Sequence, residues 1–170
     1  RYPQCRDDAQ RGCWRFWGGG WTAFEKNNGY DYGGGIVAYQ ASIDLDQTTF
    51  SGNTSGVGSA MALYSSVVTV KNSIIWDNDG PILYVPESSG ITYLDIGYSD
   101  ITGGEDLLAD HPNLIFTTEG GIINQDPEFC FPEDFIYNLQ ETSICQTASD
   151  SSGVIGAYSS VCGALAIEQP

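Results

Sequence analysis

Between Gly33 and Gly80 the apolar residues come in short alternating runs. Ile36-x-Ala38 and Ile43-x-Leu45 are two of them, and the pair Thr49-Phe50 follows. Alternation at period two is the mark of a strand with one inward face. Each run is too short for a globular helix, and glycine, serine and asparagine between them favour turns. The pattern then recurs. Ile36 falls on Met61, Ala38 on Leu63, Tyr39 on Tyr64, Ile43 on Val68, Leu45 on Val70, Phe50 on Ile75 and Asn53 on Asn78, all at an offset of 25 residues.

A repeat of this length is a sign of stacked architecture. One copy cannot bury its apolar face alone. Stacked copies can, because like residues then lie one rung apart and form a continuous interior. The expected fold is all-β, a right-handed parallel β-helix (β-solenoid) with about one coil per repeat. Asn53 and Asn78 are expected to form a ladder of amides along the stack. Residues 33–104 are the expected coils. Within them, Leu94, Ile96, Ser99 and Ile101 continue the series one residue late, falling on Val68, Val70, Ser73 and Ile75. Pro81 and Pro86 make interior pairing awkward, so Gly80–Gly90 is expected to be partly a bulged loop.

The flanks read differently. Residues 1–32 carry four arginines and Trp14, Trp17 and Trp21. An open solenoid end leaves apolar core and strand edges uncovered, so this segment is expected to be a cap or incomplete first coil, with Phe24 about one repeat below Phe50. Residues 105–170 are expected to hold an irregular coil and the C-terminal end of the helix. A short helical turn is expected around Asp106–Asp110, or a looser coil through Leu114–Phe116.

Charge narrows the function. The chain of 170 residues has a net charge of −16, and everything after Lys71 carries acids but no lysine or arginine. Nucleic acid needs a basic footprint, so it is excluded as a partner, as is an anionic membrane surface. No apolar run approaches the roughly 18 residues of a membrane span. The chain starts at Arg1 rather than Met, which fits either a processed secreted protein or a fragment.

Cys5, Cys13, Cys130, Cys145 and Cys162 lie towards the two ends. Disulfides Cys5–Cys13 and Cys145–Cys162 are expected to tie those ends in an oxidising compartment, leaving one thiol free or bonded between chains. Buried thiols in a reduced protein are the alternative.

The tail resembles the C-terminal part of bacterial secreted right-handed parallel β-helix repeat proteins. The residues that carry the likeness are Ile123-Asn124, Asp126-Pro127-Glu128-Phe129, Tyr137-Asn138-Leu139-Gln140, Ser143-Ile144-Cys145 and Ile155-Gly156-Ala157-Tyr158, with Ile144 where proline is usual. The resemblance implies fold and a secreted or cell-surface location more than it implies an activity.

Candidate chemistry is sparse. Asp44, Asp46, Lys71 and Asp95 share one outward face in the repeat register. Asp44 and Asp95 would stand two rungs apart, roughly 9.5 Å at the usual strand spacing, within the span of an inverting glycosidase. The simpler reading is an interstrand ion pair among surface acids. Asp77 and Asp79 offer oxygens for a loosely held calcium, although the EF-hand pattern fails at Ser88. No other cofactor is indicated. Asn53-Thr54-Ser55 fits the glycosylation sequon.

Two functions are expected from this. One is an extracellular structural or adhesive protein, assembling head-to-tail with copies of itself into a filament. Arg6, Arg11, Trp14, Arg15, Trp17 and Trp21 would supply its basic, aromatic end. The other is a polysaccharide lyase or hydrolase, or a carbohydrate-binding module.

Overall fold

The computed structural model describes residues 15–18, 21–108, 111–151, 153–158 and 162. The chain winds into a parallel β-solenoid of about four turns. The first turn runs through β1 (Arg15–Gly18), β2 (Thr22–Glu25), β3 (Asn28–Tyr32) and β4 (Ile36–Tyr39). The second repeats it as β5 (Ser42–Asp46), β6 (Thr48–Ser51), β7 (Thr54–Val57) and β8 (Met61–Tyr64). The third has β9 (Val67–Lys71), β10 (Ile74–Trp76) and a shortened β11 (Leu83–Tyr84). The fourth keeps β12 (Thr92–Gly97) and β13 (Asp100–Ile101), and β14 (Leu114–Gly120) opens the next.

The sides of the coil become parallel sheets. The long sheet has the order β1-β5-β9-β12-β14. Beside it stand β13-β10-β6-β2, then the pair β3-β7, then β11-β8-β4. The register is the one the repeat demands. Tyr39 faces Tyr64, Leu45 faces Val70, and Ile96 continues the rung below Val70. Inward residues are sealed: Leu45, Val70 and Ile96, and likewise Phe50, Ile75 and Ile101, are at most 2% exposed. Phe24 stacks on Phe50 with ring centroids 4.8 Å apart, in register between β2 and β6.

The corners are built by hydrogen bonds and left-handed backbone. Asn53, fully buried, donates to the Phe24 carbonyl (2.7 Å) and to Asn78 Oδ1 (2.9 Å), and accepts from Asn27 Nδ2 (2.9 Å) and Asn27 N–H (3.1 Å). The ladder therefore has three rungs, one more than the sequence comparison had found. A second corner uses hydroxyls: the Thr48 N–H donates to Ser73 Oγ, and the Ser73 N–H to Ser99 Oγ. Left-handed residues stack as well. Gln40 with Ser65, and Gln47 with Asn72 and Tyr98, all have φ near 50°. Each such non-glycine residue costs roughly 1–2 kcal/mol, offset by the rung bonds on either side. At Gly33 and Gly58 no side chain fits. A Cβ there would meet Val37 Cγ2 at 2.3 Å and the Met61 carbonyl at 2.5 Å.

The third turn bulges only after Pro86: the Pro81 carbonyl still accepts from the Ser59 N–H, and Val85 is still buried in the main core. Residues 87–91 leave the coil, and the Asn113 side chain holds them by donating to the carbonyls of Glu87 (2.7 Å) and Ser89 (2.9 Å). A 3-10 turn at Glu105–Leu107 precedes β14, which pairs along its length with β12.

The tail does not add coils. A hairpin of β15 (Phe129–Phe131) and β16 (Ile136–Leu139) pairs antiparallel. The chain then returns along the outside of the β2-β6-β10-β13 sheet towards the first turn. It follows one outward row of that sheet, Thr49, Ile74 and Asp100, which are neighbours in register. Cys145 Sγ donates to Asp100 Oδ2 (3.2 Å), the Gly156 N–H to the Asn72 carbonyl (2.7 Å) and the Ala157 N–H to Thr49 Oγ1 (2.9 Å). At the far end the Tyr158 hydroxyl donates to the Glu25 carboxylate. Ile74, Leu139, Cys145 and Ile155 form a second core between strap and sheet. All four residues of β6 are buried as a result. Ile155–Tyr158, one of the motifs that carry the family likeness, is this strap rather than a rung of the coil. Gly156 is required in it, since a Cβ would lie 2.7 Å from Ile74 Cδ1.

This route also corrects the disulfide. Cys162 is bonded to Cys130, with Cα atoms 5.9 Å apart, and Cys145 is a buried free thiol. Cys145 sits in a 3-10 turn whose side chain enters the second core towards Asp100. Cys162, by contrast, is held beside the hairpin by its N–H to the Leu139 carbonyl. The expected pair Cys5–Cys13 lies outside the described residues.

Candidate binding surface

The β11-β8-β4 side carries the largest exposed aromatic cluster of the described residues. Outward positions alternate along its strands, and Val37, Ala62 and Tyr84 form one row while Tyr39 and Tyr64 form the next. Tyr32, from the end of β3, reaches over the same side. Ring centroids are 5.9 Å apart for Tyr39–Tyr64, 6.2 Å for Tyr64–Tyr84 and 5.7 Å for Tyr32–Tyr84. Ala62 points outward and yet is fully buried, because a small side chain at the centre leaves room for the rings to close over it. Tyr39 and Tyr32 remain 62% and 50% exposed. The Tyr64 phenol is shifted upward, first by partial burial and then by its neighbours Tyr84 and Tyr32.

Tyr84 also forms one edge of an open depression lined by Val85, Pro86, Glu87, Ser88, His111 and Pro112. Its rim is fixed: Asn113 ties the 86–89 loop, and the Gly90 N–H donates to Ser65 Oγ at 2.8 Å. An aromatic face thus adjoins a carboxylate and a hydroxyl on a tethered loop, with the His111 imidazole from a separate segment beside them.

The acid–base group on the long sheet is brought together in register, but Lys71, Asp46 and Asp95 are each engaged elsewhere. Asp44 and Asp95 stand two rungs apart across Thr69, and Asp46 is level with Lys71. Lys71 does not pair with Asp46. Its Nζ is 2.6 Å from Glu119 Oε2 on β14, and this bond raises its pKa. Asp46 instead accepts from Asn72 Nδ2 (2.8 Å), and Asp95 from Thr117 Oγ1 (3.0 Å). Asp77 and Asp79 are exposed and contribute backbone to the corner, where the Gly52 N–H donates to the Asp77 carbonyl and the Asp79 N–H to the Asn53 carbonyl. Among the described residues no three acidic, histidine or cysteine side chains gather as a metal-holding group.

The expected assembly surface is only partly described. Arg6, Arg11 and Trp14 lie outside the described residues. Arg15 and Trp17 belong to β1, in register with Ser42 and Asp44, and Trp21 is 53% exposed just before β2. The Asn53 sequon is closed, since the amide that would carry a sugar is the buried middle rung of the ladder.

The sequence reading paired Tyr39 with Tyr64 but missed the wall. Tyr32 comes from a neighbouring side of the coil, and Tyr84 from a turn shortened out of the 25-residue step, so neither falls at the repeat offset. Comparison with family models, curated proteins and solved structures gives no match.

Proposed function

We propose that this protein is an extracellular structural and adhesive β-solenoid that joins copies of itself end to end. The observation that carries the reading is β14. It is seven residues long, half-buried to exposed, and among the described residues the strand it pairs with is β12 alone. The opposite end of the same parallel sheet is β1. A second copy that lays its β1 along β14 continues the sheet in the same sense, and such a contact repeats without closing. Charge supports the direction. The arginines lie at the β1 end of the chain, and the residues beyond Lys71 bear only acids. The Cys130–Cys162 disulfide supports an oxidising, extracellular setting.

Electron microscopy and size-exclusion chromatography across a salt series test this. Filaments or ladders of oligomers are expected at low salt, shortening as salt screens the end-to-end attraction. Ile115→Lys, which places a cation on the exposed face of β14, is expected to leave monomers. A monodisperse monomer at every salt concentration, or filaments unchanged by Ile115→Lys, would refute the proposal.

A further inference from the structure

We infer that the tyrosine wall and the depression beside it form a binding site for a neutral polysaccharide. This does not depend on end-to-end assembly, since the wall lies on the β11-β8-β4 side and β14 on the long sheet.

The first observation is the wall. Tyr39, Tyr64, Tyr84 and Tyr32 make a contiguous aromatic surface held on hydrogen-bonded rungs, so the rings are ordered before any ligand arrives. The C–H face of a sugar ring packs on the electron-rich face of such a ring, and a phenol keeps a polar edge beside it. The second observation is the depression. Tyr84 belongs to both features, and the Glu87 carboxylate, the Ser88 hydroxyl and His111 line the space next to it. An aromatic surface with a few fixed polar groups at one end suits a ligand that is apolar on its faces and hydroxylated around its edge. The third is charge. Glu87 is the carboxylate of the depression, and both lysines are engaged on other sides of the coil, Lys71 with Glu119 and Lys26 with Glu133. Among the described residues no lysine stands on this side to attract a uronate or sulfated chain, and the net charge of −16 repels one. The ligand class is therefore an uncharged, extended glycan running from Tyr39 across Tyr64 to Tyr84, with its hydroxyls towards Glu87 and Ser88.

Native-gel affinity electrophoresis through soluble xylan and hydroxyethyl cellulose tests the site, using the Ile115→Lys protein so that retardation cannot come from trapped filaments. Retardation by at least one of the two polymers, insensitive to salt, is the expected result. Tyr39→Ala should weaken it about tenfold, as expected for loss of one stacked ring, whereas Tyr39→Phe should keep it. Tyr39 is mostly exposed, so an unchanged urea midpoint will show that the variant is folded. Three results would overturn the inference: no retardation by either polymer, equal retardation of wild type and Tyr39→Ala, or binding confined to amine-bearing chitosan and lost in salt.

Discussion

The β2-β6-β10-β13 sheet has two sides, and they are held by different rules. On its inner side like stacks on like. Phe24 lies on Phe50, Ile75 on Ile101, and the asparagines beside them share one ladder, each contact joining residues about 25 positions apart. On its outer side unlike groups meet. A thiol meets the Asp100 carboxylate, Asn72 Oδ1 accepts from the Asp150 N–H, and Tyr158 meets Glu25, across 45, 78 and 133 residues. The inner side can be extended by adding copies of one unit. The outer side is a single seal, made once.

Three changes would probe that contrast. The largest effect is expected for Asn53→Ala. It strands the Phe24 carbonyl, at ~1–3 kcal/mol, and removes the side-chain bonds to Asn27 and Asn78, at about 1 kcal/mol each, so the loss should reach about 4 kcal/mol in urea unfolding. The whole solenoid should respond as one transition, because the ladder links successive turns. Ile155→Ala should cost about 3 kcal/mol by opening a cavity in the outer core. Its signature should be local: faster hydrogen exchange around Leu139 and Cys145, with β5 and β9 still protected. If both variants unfold the protein uniformly, strap and stack are one cooperative unit and the contrast fails.

The smallest effect belongs to pH. Burial raises the Asp100 carboxyl to about 6, with the Gln125 N–H and Cys145 thiol pulling it back and Asp126 pushing it further up. Unfolded, the group would titrate near 4. Protonation therefore favours the folded state. The stability is fully present below about pH 4, is lost as pH rises to about 6, and changes no further above that. Asp100→Asn should remove this slope, and the two-unit shift, about 3 kcal/mol, less about 1 kcal/mol for the acceptor lost by Cys145, should stabilise the protein at pH 7 by about 2 kcal/mol, measured by urea titrations at several pH values. A slope of the same size in Asp100→Asn would assign it to other groups, with half-buried Glu25, also raised by desolvation, the first to test.

What was legible in the sequence follows from the same contrast. Val70 sits on Leu45, and Tyr64 on Tyr39, because a fixed offset needs no knowledge of three dimensions; comparing the chain with itself is enough. The left-handed corners were harder, since Lys26, Gln47 and Tyr98 hold a backbone shape usually signalled by glycine. The strap was not legible at all. Gly156 is needed for a close approach to Ile74, a residue unrelated to it by any period, and the same holds for Cys145 against Asp100. The Cys130–Cys162 bond was missed for this reason: pairing by proximity along the chain ignored the hairpin that brings Cys130 back. The tyrosine wall fell between the two cases, with its Tyr39–Tyr64 half periodic and its Tyr32–Tyr84 half not.

The strap also imposes an order on biosynthesis. Glu25 leaves the ribosome 133 residues ahead of the tyrosine that will cap it. Successive coils can settle on one another as they are translated, but Ile74 must wait for Ile155 before its side of the sheet is shielded. Nascent chains arrested before Ile155 should therefore bind hydrophobic dyes and holdase chaperones more strongly than released ones.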